Sequence, residues 1–195
     1  MRVEPGTGPL QEPRGLFAGV DDVWLEVGFG GGEHLAWQAA AHPRVGFIGC
    51  EAYLNGIAKL LSEVDEQGLA NVRVHDGDAR ELVADLGDAS IGRIFLLFPD
   101  PWPKRRHHKR RIVTPAMVAE FHRILKPGGT WRFASDIGDY VAWTLLHLRA
   151  HGGFEWLAER AHDWRERPPD WPATRSEAKA RAEGRVPAFL TFRRL

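Results

Sequence analysis

The chain has 195 residues, 44% of them hydrophobic and 27% charged, with 26 basic and 26 acidic side chains and a formal net charge of +0. That size and balance fit one soluble domain with a full core, and exclude a disordered chain. They also exclude a generally basic nucleic-acid coat, so any polyanion contact must come from a local patch.

Residues 1–20 hold Pro5, Pro9 and Pro13 and read as a loop or tail, with the folded domain spanning 21–195. No signal-peptide core or membrane-spanning run shows. Cys50 is the only cysteine, which excludes an internal disulfide and a cysteine zinc cluster. A cytoplasmic protein without membrane association is expected.

From residue 21 onward, strand and helix patterns alternate. "VWLEVG" (23–28) is a short apolar run ending in glycine, and "EHLAWQAAAH" (33–42) follows with helix formers. "VGFIGCE" (45–51) predicts a second strand. Residues 53–68 carry Leu54, Ile57, Leu60, Leu61 and Val64 at helical spacing, with Gly68 as the stop. "NVRVHDGD" (71–78) predicts a third strand and "ARELVADL" (79–86) a short helix. "GRIFLLFPD" (92–100) is the most apolar run and predicts the central strand. Thr114 and Pro115 are placed to start a helix over 114–125, which "KPGG" (126–129) ends. "TWRFASD" (130–136) and "DYVAWTLLHLRA" (139–150) predict a fifth strand and another helix. Residues 154–159 and 187–194 predict two last strands, an antiparallel edge pair joined by a long loop or short helix. The alternation predicts an α/β fold, a mostly parallel sheet with helices on both faces.

In such sheets ligands bind beyond the carboxyl ends of the strands. Gly28, Gly30 and Gly32 lie in the first strand-to-helix turn, where glycine permits a tight bend and close approach. A dinucleotide fingerprint needs its third glycine at position 33, which is Glu33. Glu26 would repel a pyrophosphate but suits an ammonium or sulfonium, and S-adenosyl-L-methionine carries both. Glu51, ending the second strand, suits ribose hydroxyls. Asp78, after the third, suits the adenine edge or, alternatively, is a helix cap. No metal-ligand spacing occurs among the histidines and acids, so no metal is expected.

"FPDPWPKRRHHKRR" (98–111) follows the central strand. Its prolines fix φ and hold Asp100 and Trp102 in set directions, with Trp102 free to stack on a base. The cations that follow predict a guide for a phosphate backbone; the alternative is a solvated charged loop. Asp136, after the fifth strand, either meets a substrate or caps the next helix. Trp24, Trp131 and Trp143 are assigned to the core.

"LEVGFGGGEHL", "FPDPWPKRRHHKRR", "LKPGGTWRFASD" and "TRSEAKA" together resemble the bacterial tRNA (guanine-N7-)-methyltransferase family, from about residue 13 to the C-terminus. The resemblance implies a single-domain, Rossmann-like class I methyltransferase fold, a seven-stranded sheet whose last strand is antiparallel. It implies S-adenosyl-L-methionine as cofactor, S-adenosyl-L-homocysteine as product, and tRNA as partner, methylated at a variable-loop guanosine. No obligatory protein partner is expected. Glu26, Glu51, Asp78 and Asp100 match the family's cofactor-contacting acids, and Asp100 its catalytic position. Lys104, Asp136, Thr174, Arg175, Ser176 and Glu177 match substrate-contacting positions. Arg106, His107, His108, Lys109, Arg110 and Arg111 match the RNA-contacting segment. Ser176 replaces the family's aromatic residue, and the leader is short where relatives have a longer basic one. Two alternatives stay open: an RNA-binding module with a vestigial cofactor site, and a methyltransferase acting on another RNA nucleophile.

Overall fold

A computed structural model describes residues 1–6 and 8–195. Seven strands form one sheet in the order β3-β2-β1-β4-β5-β7-β6. The first five are β1 (Asp22–Val27), β2 (Val45–Cys50), β3 (Val72–His75), β4 (Ile91–Leu97) and β5 (Leu125–Ser135), all parallel. β7 (Ala188–Arg194) runs antiparallel between β5 and β6 (Phe154–Trp156). Parallel strands covered on both faces must be apolar throughout. β1 and β2 obey this: five of six residues in each are buried.

Helices cover the two faces. α1 (Glu33–Ala41) and α2 (Leu54–Gln67) lie on one, where Leu35, Phe47, Leu60, Phe95 and Trp171 form a core. α3 (Ala79–Asp85), α4 (Pro115–Ile124) and α5 (Gly138–His151) lie on the other, packed around Leu25, Ile94, Phe121, Trp131 and Phe133. Gly68 stops α2 in the left-handed conformation, and Thr114 caps α4 by accepting from the Met117 N–H at 3.2 Å. Two short helices, α6 (His162–Arg165) and α7 (Arg175–Ala182), precede β7.

Two expectations are revised. "KPGG" does not separate α4 from the strand. Leu125 already pairs with Ile91, and the register then jumps to Arg93–Thr130. Residues 126–129 are a bulge, with Gly128 at φ +75°. The leader is also more than a tail. The Val3 N–H donates to the Val74 carbonyl and the Val74 N–H to the Met1 carbonyl, both at 2.9 Å along the β3 edge, and Leu10 and Phe17 are buried. A Cβ on Gly46 would lie 2.5 Å from the Phe17 ring, so that glycine makes room for the leader.

Candidate functional site

The carboxyl ends of β1, β2 and β4 open on a cleft of about 800 Å³. Its lining includes Glu26, Gly28, Gly30, Glu33, Glu51, Asp100, Trp102, Arg110 and Thr174–Ser176.

The floor is made largely of backbone. Gly28 and Gly30, which line the cleft, and Gly32, which packs on Leu60 instead, have φ of +72°, +57° and +84°, which side-chain-bearing residues rarely adopt. Glu51 fixes the turn: its Oε2 accepts from the Gly30 N–H and its Oε1 from the Tyr53 N–H, both at 2.9 Å. Gly56, on α2, touches the same loop. A Cβ there would meet the Gly30 carbonyl oxygen at 2.0 Å. Glu26 is 3% exposed and accepts from His34 Nδ1 at 2.7 Å. The floor therefore joins two carboxylates to a backbone cradle, and among the described residues His34 is the basic side chain paired with Glu26. That donor set fits an ammonium and a ribose diol and disfavours a phosphate, as S-adenosyl-L-methionine requires.

The rim is made of charges. Asp100 is exposed at the end of the central strand. Among the described residues it makes no hydrogen bond or ion pair. The turn holding it is kinked at Phe98 (φ +51°) and Trp102 (φ +41°), each directly before a proline. Left-handed aromatic residues cost about 1–2 kcal/mol each, so surrounding contacts must hold this turn. Residues 105–110 form a 3-10 helix, whose threefold period puts His107 and Arg110 on one row. That row faces Trp102: the Arg110 guanidinium lies 4.7 Å from the indole and His107 is edge-on at 6.0 Å.

Several sequence-derived site residues are elsewhere engaged. Arg111 is 0% exposed. Its Nε donates to the Pro101 carbonyl at 2.9 Å, Nη2 pairs with Asp139, and the guanidinium lies 5.0 Å from the Trp143 ring. It anchors the basic loop to α5 and is buried here, where the RNA-contacting reading expected an exposed cation. His108 is half-buried with its ring 5.3 Å from Trp143, so it too faces α5 rather than solvent. Lys104, Arg105, Arg106, Lys109 and Arg110 are the exposed cations of the loop. Trp143 is only half-buried; its indole N–H donates to the Val113 carbonyl under this loop.

Asp136 pairs with Arg185 and does not line the cleft; the cap position of α5 is Ile137, so Asp136 is not a cap either. Asp78 is a cap. It accepts from the Arg80 N–H at 2.8 Å, also pairs with the Arg80 side chain, and lies outside the cleft lining. Glu177 is buried between Arg167 (3.0 Å) and Arg181 (2.9 Å) and is absent from the residues lining the cleft. Thr174 caps α7 by accepting from the Glu177 N–H at 3.2 Å. Arg175 reaches across the cleft mouth to Glu33 at 2.6 Å. Sequence reasoning did not single out His34, which is buried in the cleft lining, or Gln38 and Trp171, which are buried beyond it. Among the described residues no cluster of metal-binding side chains occurs, and no helix is long and apolar enough to cross a membrane.

A seven-stranded sheet of this order, with a glycine turn after β1 and an acid after β2, is that of a Rossmann-like class I methyltransferase. Solved structures agree on the fold. One is the 16S rRNA methyltransferase KamB, with a TM-score of 0.65 at 15% identity over 94% of this chain and 92% of that one. Another is the tRNA (m1A58) methyltransferase TrmI from Aquifex aeolicus, with a TM-score of 0.58 at 15% identity over 89% of this chain and 62% of that one. A family model described as a putative methyltransferase matches residues 21–189. The tRNA (guanine-N(7)-)-methyltransferase of Rhodospirillum rubrum is 54% identical over 97% of this chain and 74% of its own length. That of Ruegeria pomeroyi is 55% identical over 96% and 79%. The chain belongs to the tRNA (guanine-N(7)-)-methyltransferase family.

Proposed function

We propose that this protein transfers a methyl group from S-adenosyl-L-methionine to N7 of a guanosine in the variable loop of tRNA. The carrying observation is Asp100: an exposed carboxylate with no hydrogen bond or ion pair among the described residues, between the glycine floor and a loop of five exposed cations. When bound, the cofactor supplies an electrophilic methyl on a sulfonium. Glu26 and Glu51 are placed to hold its ammonium and ribose, and the positive-φ glycines let it lie against backbone.

Guanine N7 has an in-plane lone pair and no proton to lose, so the chain needs no general base. Its task is alignment, which can contribute roughly 7–11 kcal/mol. Asp100 accepts from the guanine N1–H and amino group, orients the ring, and offsets the positive charge that grows on it. With Asp136 and Glu177 paired to arginines, Asp100 is the acid left for this role. Trp102 offers a stacking face once Arg110 turns to a phosphate. Lys104, Arg105, Arg106 and Lys109 hold the backbone of the RNA.

Single-turnover methylation at saturating tRNA and cofactor tests the assignment. Asp100→Asn keeps the shape and removes the charge, and should slow transfer by about 10²–10³-fold. Aniline cleavage of the product tRNA locates the modified guanosine. Unchanged transfer in Asp100→Asn, or cleavage outside the variable loop, contradicts this reading.

A further inference from the structure

A buried polar chain runs from the floor of the cleft to the segment between α6 and α7. Glu26, His34 and Gln38 are 3%, 2% and 0% exposed. Gln38 Nε2 donates to the Asp170 carbonyl at 2.8 Å and lies 3.2 Å from His34 Nε2. His34 Nδ1 is 2.7 Å from Glu26 Oε2. The bond directions are settled by chemistry. A carbonyl accepts only, so the Gln38 amide must present its NH₂ to Asp170. Its second hydrogen then points at His34 Nε2, making that nitrogen the acceptor and leaving Nδ1–H to donate to Glu26. Each bond polarises the next. At the far end, the Asp170 carboxylate meets Arg132 at 2.7 Å, and Trp171 packs edge-on to His34 at 6.1 Å between centroids. Three residues on, the segment delivers Thr174, Arg175 and Ser176 to the cleft rim.

We infer that His34 and Gln38 are positioning residues that couple cofactor occupancy at Glu26 to the placement of residues 166–174. The inference rests on the cofactor reading above. A ligand cation on Glu26 changes the acceptor that His34 serves, and the buried polar route from His34 through Gln38 ends on this segment. Coupling of this kind is reciprocal: a well-placed segment favours the cofactor, and the cofactor favours a well-placed segment. The acceptor-side rim is then set when cofactor is present and relaxes when product leaves.

The test is hydrogen exchange of residues 166–174 in the full chain, with and without S-adenosyl-L-homocysteine, beside calorimetric affinity. In the wild type the product should slow exchange there. Gln38→Met keeps the volume and removes both donors. His34→Asn keeps a donor for Glu26 but cannot reach Gln38. Both should lose the exchange response and bind the product about five- to tenfold more weakly. A residue that only packs would lower the unfolding midpoint and leave the response intact, and that result in either folded variant overturns the inference. If Gln38→Met does not fold, His34→Asn decides. A wild type that binds product with no change in exchange overturns the coupling alone. A wild type that does not bind product overturns the cofactor reading as well.

Discussion

The floor and the rim of the cleft differ in how much of their chemistry is already satisfied. On the floor, Glu26 and Glu51 are held by His34 and by two backbone N–H groups, and three glycines set the path of the chain. On the rim, Asp100 makes no hydrogen bond or ion pair among the described residues, and five cations of residues 104–110 are exposed. For Glu26 the difference follows from burial, and for Glu51 from its place in the glycine turn. A buried carboxylate needs partners, or its desolvation destabilises the fold. An exposed one is kept by water at little cost. On the proposed function, the floor is preorganised for one small cofactor, and the rim keeps its charges for a polyanion that brings complementary groups with it.

Breaking the floor should have the largest effect. Gly56→Ala places a methyl 2.0 Å from the Gly30 carbonyl oxygen, and neither side is a flexible side chain. The glycine turn must move by an ångström or so, a displacement that can cost about 10²-fold. Calorimetry should show binding of S-adenosyl-L-homocysteine weakened by at least that factor. Circular dichroism should show the sheet still formed. Near-wild-type affinity would mean that the turn is compliant, and the floor not preorganised.

Two neighbouring arginines sharpen the contrast. Arg111→Ala removes a fully buried side chain, its bond to Pro101 and its contact with Trp143. A loss of about 3 kcal/mol is expected, or roughly 6–12 °C in the unfolding midpoint for a domain of this size. Arg110→Ala should change stability by no more than about 0.5 kcal/mol. It should instead lower the log–log salt slope of tRNA binding by about one. Equal effects of the two substitutions on stability would contradict the division of the loop into anchor and contact surface.

The order of strands and helices was legible because buried parallel strands are apolar runs and helix ends carry glycine and Thr-Pro signals. That Glu26, Glu51 and Asp100 would line one cleft was legible because strand ends in such a sheet converge. What the pattern could not separate was a cation at the surface from a cation in the core. Arg110 and Arg111 are adjacent in sequence, yet one faces Trp102 and the other lies beneath the loop against Tyr140, Trp143 and Asp139. "TRSE" carried a second meaning: Thr followed three residues later by Glu also marks a helix start, and Thr174 caps α7. Asp78 was likewise a cap. His34 and Gln38 gave a weaker signal, two polar residues four apart on a helix otherwise facing the core, legible as a pair only once Asp170 is placed beside them.

The smallest expected effect concerns how the rim is fastened. The hydrogen bond from Arg111 holds the Asp139 carboxyl below the usual carboxylate range, with a further contribution from the positive field of Arg111 and of His108 nearby. A carboxyl with a depressed folded-state pKa contributes stability that is present above its unfolded value, about 3.9, and lost as pH falls through the folded value. The Asp139 side chain is 65% exposed, so solvent screens the pair and the contribution is small. Asp139→Asn should therefore unfold slightly earlier than the wild type at pH 7. The gap should close as the wild-type carboxyl is protonated below about pH 4. It should also narrow in high salt at neutral pH, as an exposed ion pair does. A gap that stays constant from pH 7 to pH 2 would show that Asp139 contributes through its shape and neutral hydrogen bonding. The loop would then rest on Arg111's burial and its bond to Pro101, and its attachment would be indifferent to acid.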